Sequence, residues 1–435
     1  MPKRSPDLPD PFIVPLAAAD QTYADRMGPK AANLAALARA GLPTPGGFSL
    51  DANAYRAQIA GLGLHDVVLR FDATDPMQQR RLAVDIRLAL YEQPVAEAIR
   101  MPLLAAWQAL REDSGTPLAV RSSALIEDRK GANFAGQFES FLGIEDEAGL
   151  LTAVRACWAA LWTTNARRYM ENRGLSPAAT AMAVLVQPLV DARASGGGLS
   201  ETAEGQMLIS ATWGLGSAIA QGEVVPDRIV LSRHGFLRTI DPGRKHHRDT
   251  CLHGNGAARQ AVAIELVTAP CLDAAQAVTL ARLMRKAETI MAGPVEIEWA
   301  LDHLGFKLLQ ARPLTVERSA VPDEIWRRHP GLSGHPAGIG WGSGRAVVVN
   351  CECELARVAP GDVLVTRVAG PALGHVLPRV AGVVSELGGS TSHLASLARE
   401  RGIPMVLGVL DATVRIPDGS QVAVDGIAGI VRWMT

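Results

Sequence analysis

The chain has 435 residues, which is too long for one ordinary hydrophobic core and predicts two or three domains. Hydrophobic residues make up 48% of it and charged residues 20%, a balance that excludes an intrinsically disordered protein. The net charge of −1 gives no electrostatic basis for binding nucleic acid or an anionic membrane.

The sequence shows no pattern of a membrane segment or an export signal. It contains no run of about 18 uncharged apolar residues, and residues 1–10 are polar and rich in proline. We therefore expect a cytoplasmic protein that binds no membrane. The five cysteines do not form a disulfide framework, and Cys351-Glu352-Cys353 is interpreted as an alternating strand with a structural role, not as a metal site.

The first third of the chain is mainly helical by pattern. An apolar helical periodicity follows Gly28-Pro29-Lys30 and ends at Gly41, which suits the end of a helix. Further helical patterns run through residues 51–110. Residues 117–121 then predict a strand that leads into a polar loop at residues 122–136.

Helix and strand patterns alternate in the middle of the chain. Residues 150–170 predict a helix, and Trp158 and Trp162 within it are assigned to the core. Four later segments predict strands, of which the last two form a β-hairpin: residues 181–190, 207–211, 296–301 and 307–312.

The composition changes after Arg312. Residues 314–332 are polar and contain proline, with little periodicity, which is typical of a linker. Residues 333–435 are dense in valine and glycine, and their short strand patterns are interrupted by one clear helix. The predicted domains are therefore residues 1–313 and 333–435, joined by a flexible linker at 314–332.

A histidine follows a glycine turn in the C-terminal region, in the segment Gly388-Gly389-Ser390-Thr391-Ser392-His393. Residues 379–385 predict a buried strand before it, and Thr391 or Ser392 can cap the helix that follows. Unpaired N–H groups at the start of a helix favour an anion, so a phosphate carried by His393 would be well placed. The alternative is a capped helix whose first histidine is only solvated.

Two cations in the N-terminal region can bind phosphate. Lys30 begins a helix after a turn and can reach a phosphate as a compact point charge. Arg121 ends a strand before a loop of small residues, where its guanidinium can bind triphosphate oxygens through two hydrogen bonds. The alternatives are a solvated lysine, and an arginine that pairs with Glu127 or Asp128.

Three polar residues lie on the predicted hairpin. Glu298 and Gln310 are on its two arms, and Arg312 shares a strand face with Gln310. A carboxylate and an amide oxygen suit Mg²⁺, which completes its shell with water and phosphate oxygens. Arg312 would then neutralise charge on a phosphate, although a plain surface cluster is the alternative.

Several motifs occur in a fixed order along the chain and end in the His393 segment. They are Gly28-Pro29-Lys30-Ala31-Ala32-Asn33-Leu34, Val120-Arg121-Ser122-Ser123-Ala124, Phe134-Ala135-Gly136-Gln137, Gly214-Leu215-Gly216, Glu298-Trp299, Gln310-Ala311-Arg312-Pro313 and Arg399-Glu400-Arg401-Gly402-Ile403-Pro404. In this order they resemble the phosphoenolpyruvate-utilising enzymes, the family of pyruvate phosphate dikinase, phosphoenolpyruvate synthase and rifampicin phosphotransferase.

The resemblance implies an α+β fold, with a two-lobed ATP-grasp-like nucleotide-binding domain followed by a small β-rich swivelling phosphohistidine domain. It implies ATP and Mg²⁺ as cofactors, with Glu298 and Gln310 on the metal. The catalytic residues that it implies are Lys30, Arg121, Arg312 and His393. The nucleotide contacts that it implies are Lys30, Arg121, Gly136, Gln187, Leu189, Val190, Glu298, Gln310 and Arg312.

The chain departs from the family pattern at five positions. Pro29 replaces a glycine, Pro188 interrupts the strand along the adenine, and Ser217 replaces a glutamate. Leu394 and Ser396 stand where the family more often has alanine and a β-branched residue.

The implied reaction moves the β-phosphoryl of ATP onto His393 and then to an acceptor, with AMP and phosphate released. Only about twenty residues separate Arg312 from the histidine domain, too few for the acceptor domains of the relatives. We therefore expect a small-molecule acceptor or a separate acceptor-binding subunit, and no nucleic-acid partner. The alternatives are a nucleotide-sensing or regulatory subunit that keeps the fold, and an ATP-grasp ligase.

Overall fold

The structure is a computed structural model that describes residues 12–127, 138, 140–252, 256–316, 326–367 and 371–434. Contacts group the chain into two units, residues 1–190 with 251–257 and residues 191–250 with 258–435. The domain boundaries proposed from the sequence, at 313 and 333, stay a prediction.

The first unit has a five-stranded antiparallel sheet in the order β1-β2-β5-β3-β4. Its strands are β1 (Ile13–Pro15), β2 (Phe48–Leu50), β3 (Leu118–Ala124), β4 (Ser140–Ile144) and β5 (Met182–Pro188). Its helices are α1 (Ala24–Arg39), α2 (Ala52–Gly61), α3 (His65–Arg70), α4 (Pro76–Glu92), α5 (Glu97–Ser114), α6 (Glu147–Ala160) and α7 (Thr164–Glu171). Side chains of Asp51, Asp75, Asp146 and Thr163 cap four of these helices, which explains where they begin.

Two predictions for this unit are corrected. The strand that carries Arg121 does not end there but continues through Ala124, because residues 122–124 pair with β5. The helix predicted over 150–170 is two helices, because the Thr163 side chain caps a second one. The assignment of Trp158 and Trp162 to the core is confirmed, since both are buried.

The second unit begins with a six-stranded antiparallel sheet in the order β13-β12-β6-β7-β8-β9. The strands in this part are β6 (Ala194–Leu199), β7 (Gln206–Trp213), β8 (Asp227–Ser232), β9 (Leu237–Asp241), β10 (His247–Leu252), β11 (Gly256–Ala261), β12 (Val295–Asp302) and β13 (Gly305–Pro313). Strands β10 and β11 form a separate pair. The helices are α8 (Ser217–Ala220), α9 (Ile264–Val267) and α10 (Ala274–Ile290). The predicted hairpin is confirmed as β12 and β13.

The C-terminal part of the second unit is an eight-stranded sheet in the order β14-β21-β20-β16-β17-β18-β19-β15. Its strands are β14 (Gly331–Ser333), β15 (His335–Pro336), β16 (Trp341–Val349), β17 (Val363–Thr366), β18 (Gly382–Ser385), β19 (Met405–Leu407), β20 (Gln421–Asp425) and β21 (Ile430–Met434). Its helices are α11 (His393–Arg401) and α12 (Ala412–Arg415). Valines of several strands pack with Trp433 in one core, which explains the valine-rich composition of this region.

Two predictions for this region are also corrected. The strand before the glycine turn begins at Gly382, because residues 377–379 form a 3₁₀ turn. Cys351 and Cys353 do not alternate along a strand: a disulfide joins Cys353, which lies in a 3₁₀ helix at Glu352–Arg357, to Cys351, which directly precedes that helix. Among the described helices, none combines the length and the apolar character needed to cross a bilayer.

Candidate functional site

Lys30 is placed by a break in α1. Gly28 has a φ of +71°, outside the helical region, and Pro29 follows it. The Lys30 ammonium donates to the Ser122 carbonyl oxygen at 2.9 Å and pairs with the Glu127 carboxylate at 3.0 Å. Sequence reasoning offered Glu127 as a partner of Arg121, and the structure shows that Glu127 pairs with Lys30. The lysine is thus fixed beside β3, next to the residue that follows Arg121.

The residues expected along the adenine lie at the end of β5. The Gln187 side chain is buried, and its amide nitrogen donates to the Gly46 carbonyl oxygen at 3.2 Å. Pro188 is the last residue of the strand, so Leu189 and Val190 follow it and do not belong to it, a correction to the predicted strand. Gly136 lies outside the described residues.

The hairpin brings four polar side chains to one sheet face. Glu298 is in register with Gln310, and Glu296 is in register with Arg312. Residues two apart on a strand share a face, as do directly opposed residues, so all four project from the same side. On the other side of β12, Glu298 is in register with Gly197 of β6. Glu298, Gln310 and Arg312 therefore lie together on the hairpin, as the sequence predicts.

Glu296 was missed in the sequence analysis and forms the centre of a buried ionic cluster. Its carboxylate lies 2.9 Å from the guanidinium of Arg312 and 2.9 Å from that of Arg399. Burial alone would raise the pKa of Glu296. The charges of Arg312 and Arg399 outweigh burial and lower the pKa to about 2. The i, i+2 spacing with Glu298 on a strand was the one signal that could have identified it.

His393 is presented as the sequence predicts. Gly388 has a φ of +95°, which turns the chain after β18, and the Ser392 hydroxyl accepts from the Ala395 N–H at 3.2 Å. The helix begins at His393, whose side chain is exposed. The prediction that Thr391 or Ser392 caps the helix is confirmed for Ser392.

The turn before His393 lies on the sheet face that carries Glu298. A Cβ atom built on Gly197 would come within 2.4 Å of the Thr391 side chain, so Thr391 occupies the space above Gly197. The Gly388 N–H donates to the Val224 carbonyl oxygen at 3.0 Å. The structure therefore brings the histidine turn and the hairpin residues of the second unit together.

The segment at Pro226 contacts both the glycine turn and His335, a residue that sequence reasoning did not single out. His335 is buried and hydrogen-bonded to the backbone of Pro226. Burial lowers the pKa of His335 to about 4, and the charge of Arg228 lowers it too. A Cβ on Gly389 would overlap Pro226, so the glycine turn lies against the same segment.

The position where Ser217 replaces a glutamate has a carboxylate nearby. The Ser217 hydroxyl donates to Asp249, whose backbone carbonyl accepts from the Leu215 N–H at 2.8 Å. Asp249 also lies 3.5 Å from the guanidinium of Arg259. The Gly-Leu-Gly turn is thus held against the strand that carries Asp249.

Comparisons with known proteins agree with these motifs. A family model described as pyruvate phosphate dikinase, AMP/ATP-binding domain, matches residues 24–329, and one described as PEP-utilising enzyme, mobile domain, matches residues 358–429. The probable phosphoenolpyruvate synthase of Methanothermobacter thermautotrophicus is 32% identical over 416 residues, which cover 93% of this chain and 61% of the relative. The phosphoenolpyruvate synthases of Aeropyrum pernix and Escherichia coli are 33% and 30% identical, and each match covers 93% of this chain. The chain spans 56% and 55% of those two relatives.

Proposed function

The chain belongs to the phosphoenolpyruvate-utilising enzyme family, and from this premise we propose that it is an ATP-dependent phosphotransferase in which His393 carries the transferred group. The observation that supports this most directly is the position of the histidine turn. It lies on the sheet face that bears Glu298, Gln310 and Arg312, with Thr391 above Gly197.

In the proposed first step, the neutral imidazole of His393 attacks a phosphoryl group of ATP. The β-phosphoryl stays on the ring nitrogen, AMP leaves, and the γ-phosphoryl is released to water as phosphate. Splitting the overall transfer at a phosphohistidine replaces one difficult step by two easier ones. The helix N-terminus at His393 favours the negative charge of the phosphate.

Charge neutralisation of ATP is assigned to three side chains. As the resemblance to the family implies, Lys30, Arg121 and Arg312 are proposed to bind phosphate oxygens. Gln187 is proposed to lie along the adenine, as the resemblance to the family implies, with Leu189 and Val190 after it. This nucleotide site is expected to have the ATP-grasp type of architecture.

Glu298 and Gln310 fit a magnesium site. They are directly opposed across β12 and β13, and a carboxylate and an amide oxygen are hard donors. Two protein ligands leave room for the water and phosphate oxygens that Mg²⁺ prefers. When bound, the metal would offset the negative charge of the phosphates, while Glu298 and Gln310 hold it at the hairpin.

The proposal is tested by incubating the protein with Mg²⁺ and ATP labelled at the β or γ phosphorus. We expect acid-labile, base-stable β-label on the protein, with AMP formed, and no label on His393→Ala. The matched control is His375→Ala, at another exposed histidine of the C-terminal part. Absence of label on the original protein, with ATP still bound, would contradict the proposal and favour a nucleotide-sensing subunit.

Metal removal gives a second test. We expect EDTA to abolish labelling and excess Mg²⁺ to restore it, because the phosphate charge is then offset again. Glu298→Gln is expected to raise the Mg²⁺ concentration needed for half-maximal labelling by about tenfold or more, since it removes the one anionic ligand. Asp302→Asn, at the end of the same strand, is the control. An unchanged Mg²⁺ requirement in Glu298→Gln would exclude this residue as a ligand.

A further inference from the structure

Ser396 connects the histidine helix to the hairpin. Its hydroxyl accepts hydrogen bonds from Arg312 at 2.5 Å and from Arg399 at 3.2 Å, and it donates to Glu296 at 3.5 Å. One hydroxyl therefore uses its donor and both of its lone pairs within a single cluster. All four side chains are largely buried: Glu296 is 8% exposed, Arg312 12% and Arg399 11%, and Ser396 is 1% exposed.

The resemblance to the family implies a β-branched residue at the position of Ser396. Such a residue could cover the hairpin but could not take part in the hydrogen bonds, unless it were threonine. Hydrogen bonds to charged groups are directional, and a buried ionic cluster is costly to leave half-made. The contact therefore favours one orientation of the helix on the hairpin.

A second, independent contact joins Gly197 to Thr391, which lies two residues before His393. The Thr391 side chain fills the space that a Cβ on Gly197 would need, with its own Cβ only 2.4 Å from that position. Gly197 is in register with Glu298, so this contact fixes the turn beside one of the metal-site residues. Together, the two contacts hold both sides of His393: Thr391 precedes it, and Ser396 lies one helical turn after it.

We propose that Ser396 and Gly197 are positioning residues, which seat the His393 helix on the β12–β13 hairpin for the first phosphoryl transfer from ATP. This inference rests on the proposed function and names the contacts that orient its nucleophile. Neither residue touches the reacting atoms. Each acts by fixing the place of His393.

The first test is the single-turnover rate of His393 labelling at saturating ATP. Ser396→Val removes the hydroxyl while matching the shape of threonine, and we expect a rate about tenfold lower at saturating ATP, because a hydrogen bond to charged groups is lost. Ser396→Thr restores a hydroxyl and should recover most of the rate. The matched control is Thr413→Val, which removes a hydroxyl bound at 2.5 Å to Glu386 within the C-terminal part and should label like the original.

The second test measures how the His393 helix is held on the hairpin, which we call its seating, and it requires no phosphoryl transfer. Spin labels at Leu304→Cys and Val414→Cys, which are 74% and 84% exposed, report the distance between the hairpin tip and the C-terminal part. We expect one narrow distance distribution in the reference protein and a broader one in Ser396→Val and in Gly197→Ala. Gly197→Ala acts by steric overlap and not through hydrogen bonds, so agreement between the two variants links the effect to seating.

The outcomes separate the two proposals. If the reference protein takes no label on His393, the proposed function fails, and the distance measurement still decides whether these residues seat the helix. If both variants keep the reference rate and the narrow distribution, the positioning role is wrong. A lower rate with an unchanged distribution in both variants would also overturn it, because the residues would then not act by seating.

Discussion

His335 is a buried base whose neutral form the folded protein requires. Arg228 is the charged group whose field opposes its protonation, while Asp241 acts weakly in the other direction. The Pro226 backbone accepts its hydrogen bond, and His335 Nδ1 has no hydrogen-bond partner among the described residues. Protonation would place a second positive charge in this buried position, in the field of Arg228.

We expect the free energy of unfolding to fall as the pH decreases from about 6.5 to 4. The pKa of His335 is about 4 in the folded protein and 6.5 ordinarily, so the unfolded chain binds more protons in this window. The stabilisation is complete above pH 6.5 and amounts to roughly 3 kcal/mol. Urea unfolding at a series of pH values measures it.

His335→Gln should flatten that dependence, because glutamine does not titrate and can still donate a hydrogen bond. His65→Gln, at an exposed histidine of the first unit, is the matched control and should keep the slope. If His335→Gln unfolds with the same pH dependence as the original protein, another group is responsible.

At the scale of the element, helix α1 shows how one glycine places a functional lysine. The helix breaks at Gly28, where φ is positive, and a Cβ built there would lie 2.4 Å from the Ser123 carbonyl oxygen. The close approach of the two backbones brings Lys30 within reach of Ser122 and Glu127. The break therefore sets the position of the lysine.

Gly28→Ala is expected to destabilise the first unit by more than about 2 kcal/mol, because it adds steric overlap to the cost of a positive φ. Gly115→Ala is the matched control: Gly115 also has a positive φ, of 64°, but no atom lies within 4 Å of its Cβ position. That variant should lose only about 1 kcal/mol. Equal losses in thermal or urea unfolding would contradict a close contact at Gly28.

Local elements could be predicted from the sequence, and contacts between distant elements could not. The hairpin, the Ser392 cap and the helix at His393 follow from periodicity and capping within about twenty residues. The predicted end of the strand at Arg121 was wrong. Residues 122–124 are polar or small, and only their pairing with β5 makes them part of the strand.

The same limit applies to the candidate site. Lys30, Arg121, Glu298 and His393 were recognised from motifs. The contact between Arg312 and Ser396 joins residues 84 positions apart and depends on how the hairpin and the helix pack. No local pattern reveals such a contact, and for this reason Gly197 was not identified, whereas Glu296 had only its i, i+2 spacing with Glu298 as a signal.

At the scale of the whole molecule, the matched regions bear on where the phosphoryl acceptor binds. The two matched family regions cover residues 24–329 and 358–429, and their descriptions name a nucleotide-binding and a mobile domain. The relatives are phosphoenolpyruvate synthases of greater length. We therefore propose either a small-molecule acceptor or a separate subunit that binds the acceptor.

We expect the 435-residue polypeptide, once labelled on His393, to keep the label when pyruvate alone is added. The two matched regions are described as an AMP/ATP-binding domain and a mobile domain, and the proposed acceptor site lies outside them. The measurement is the loss of label over time with pyruvate and with buffer as the control. Formation of labelled phosphoenolpyruvate would show that this chain holds the acceptor itself.

The space above Gly197 has a consequence for the tolerance of this position to mutation. Every other amino acid adds a Cβ atom where Thr391 already lies, so no substitution is conservative there. At Ser396, by contrast, the chemistry of the new side chain decides the result. A saturation library should therefore show a uniform profile at Gly197, independent of polarity or charge, and a graded profile at Ser396 with threonine at its top.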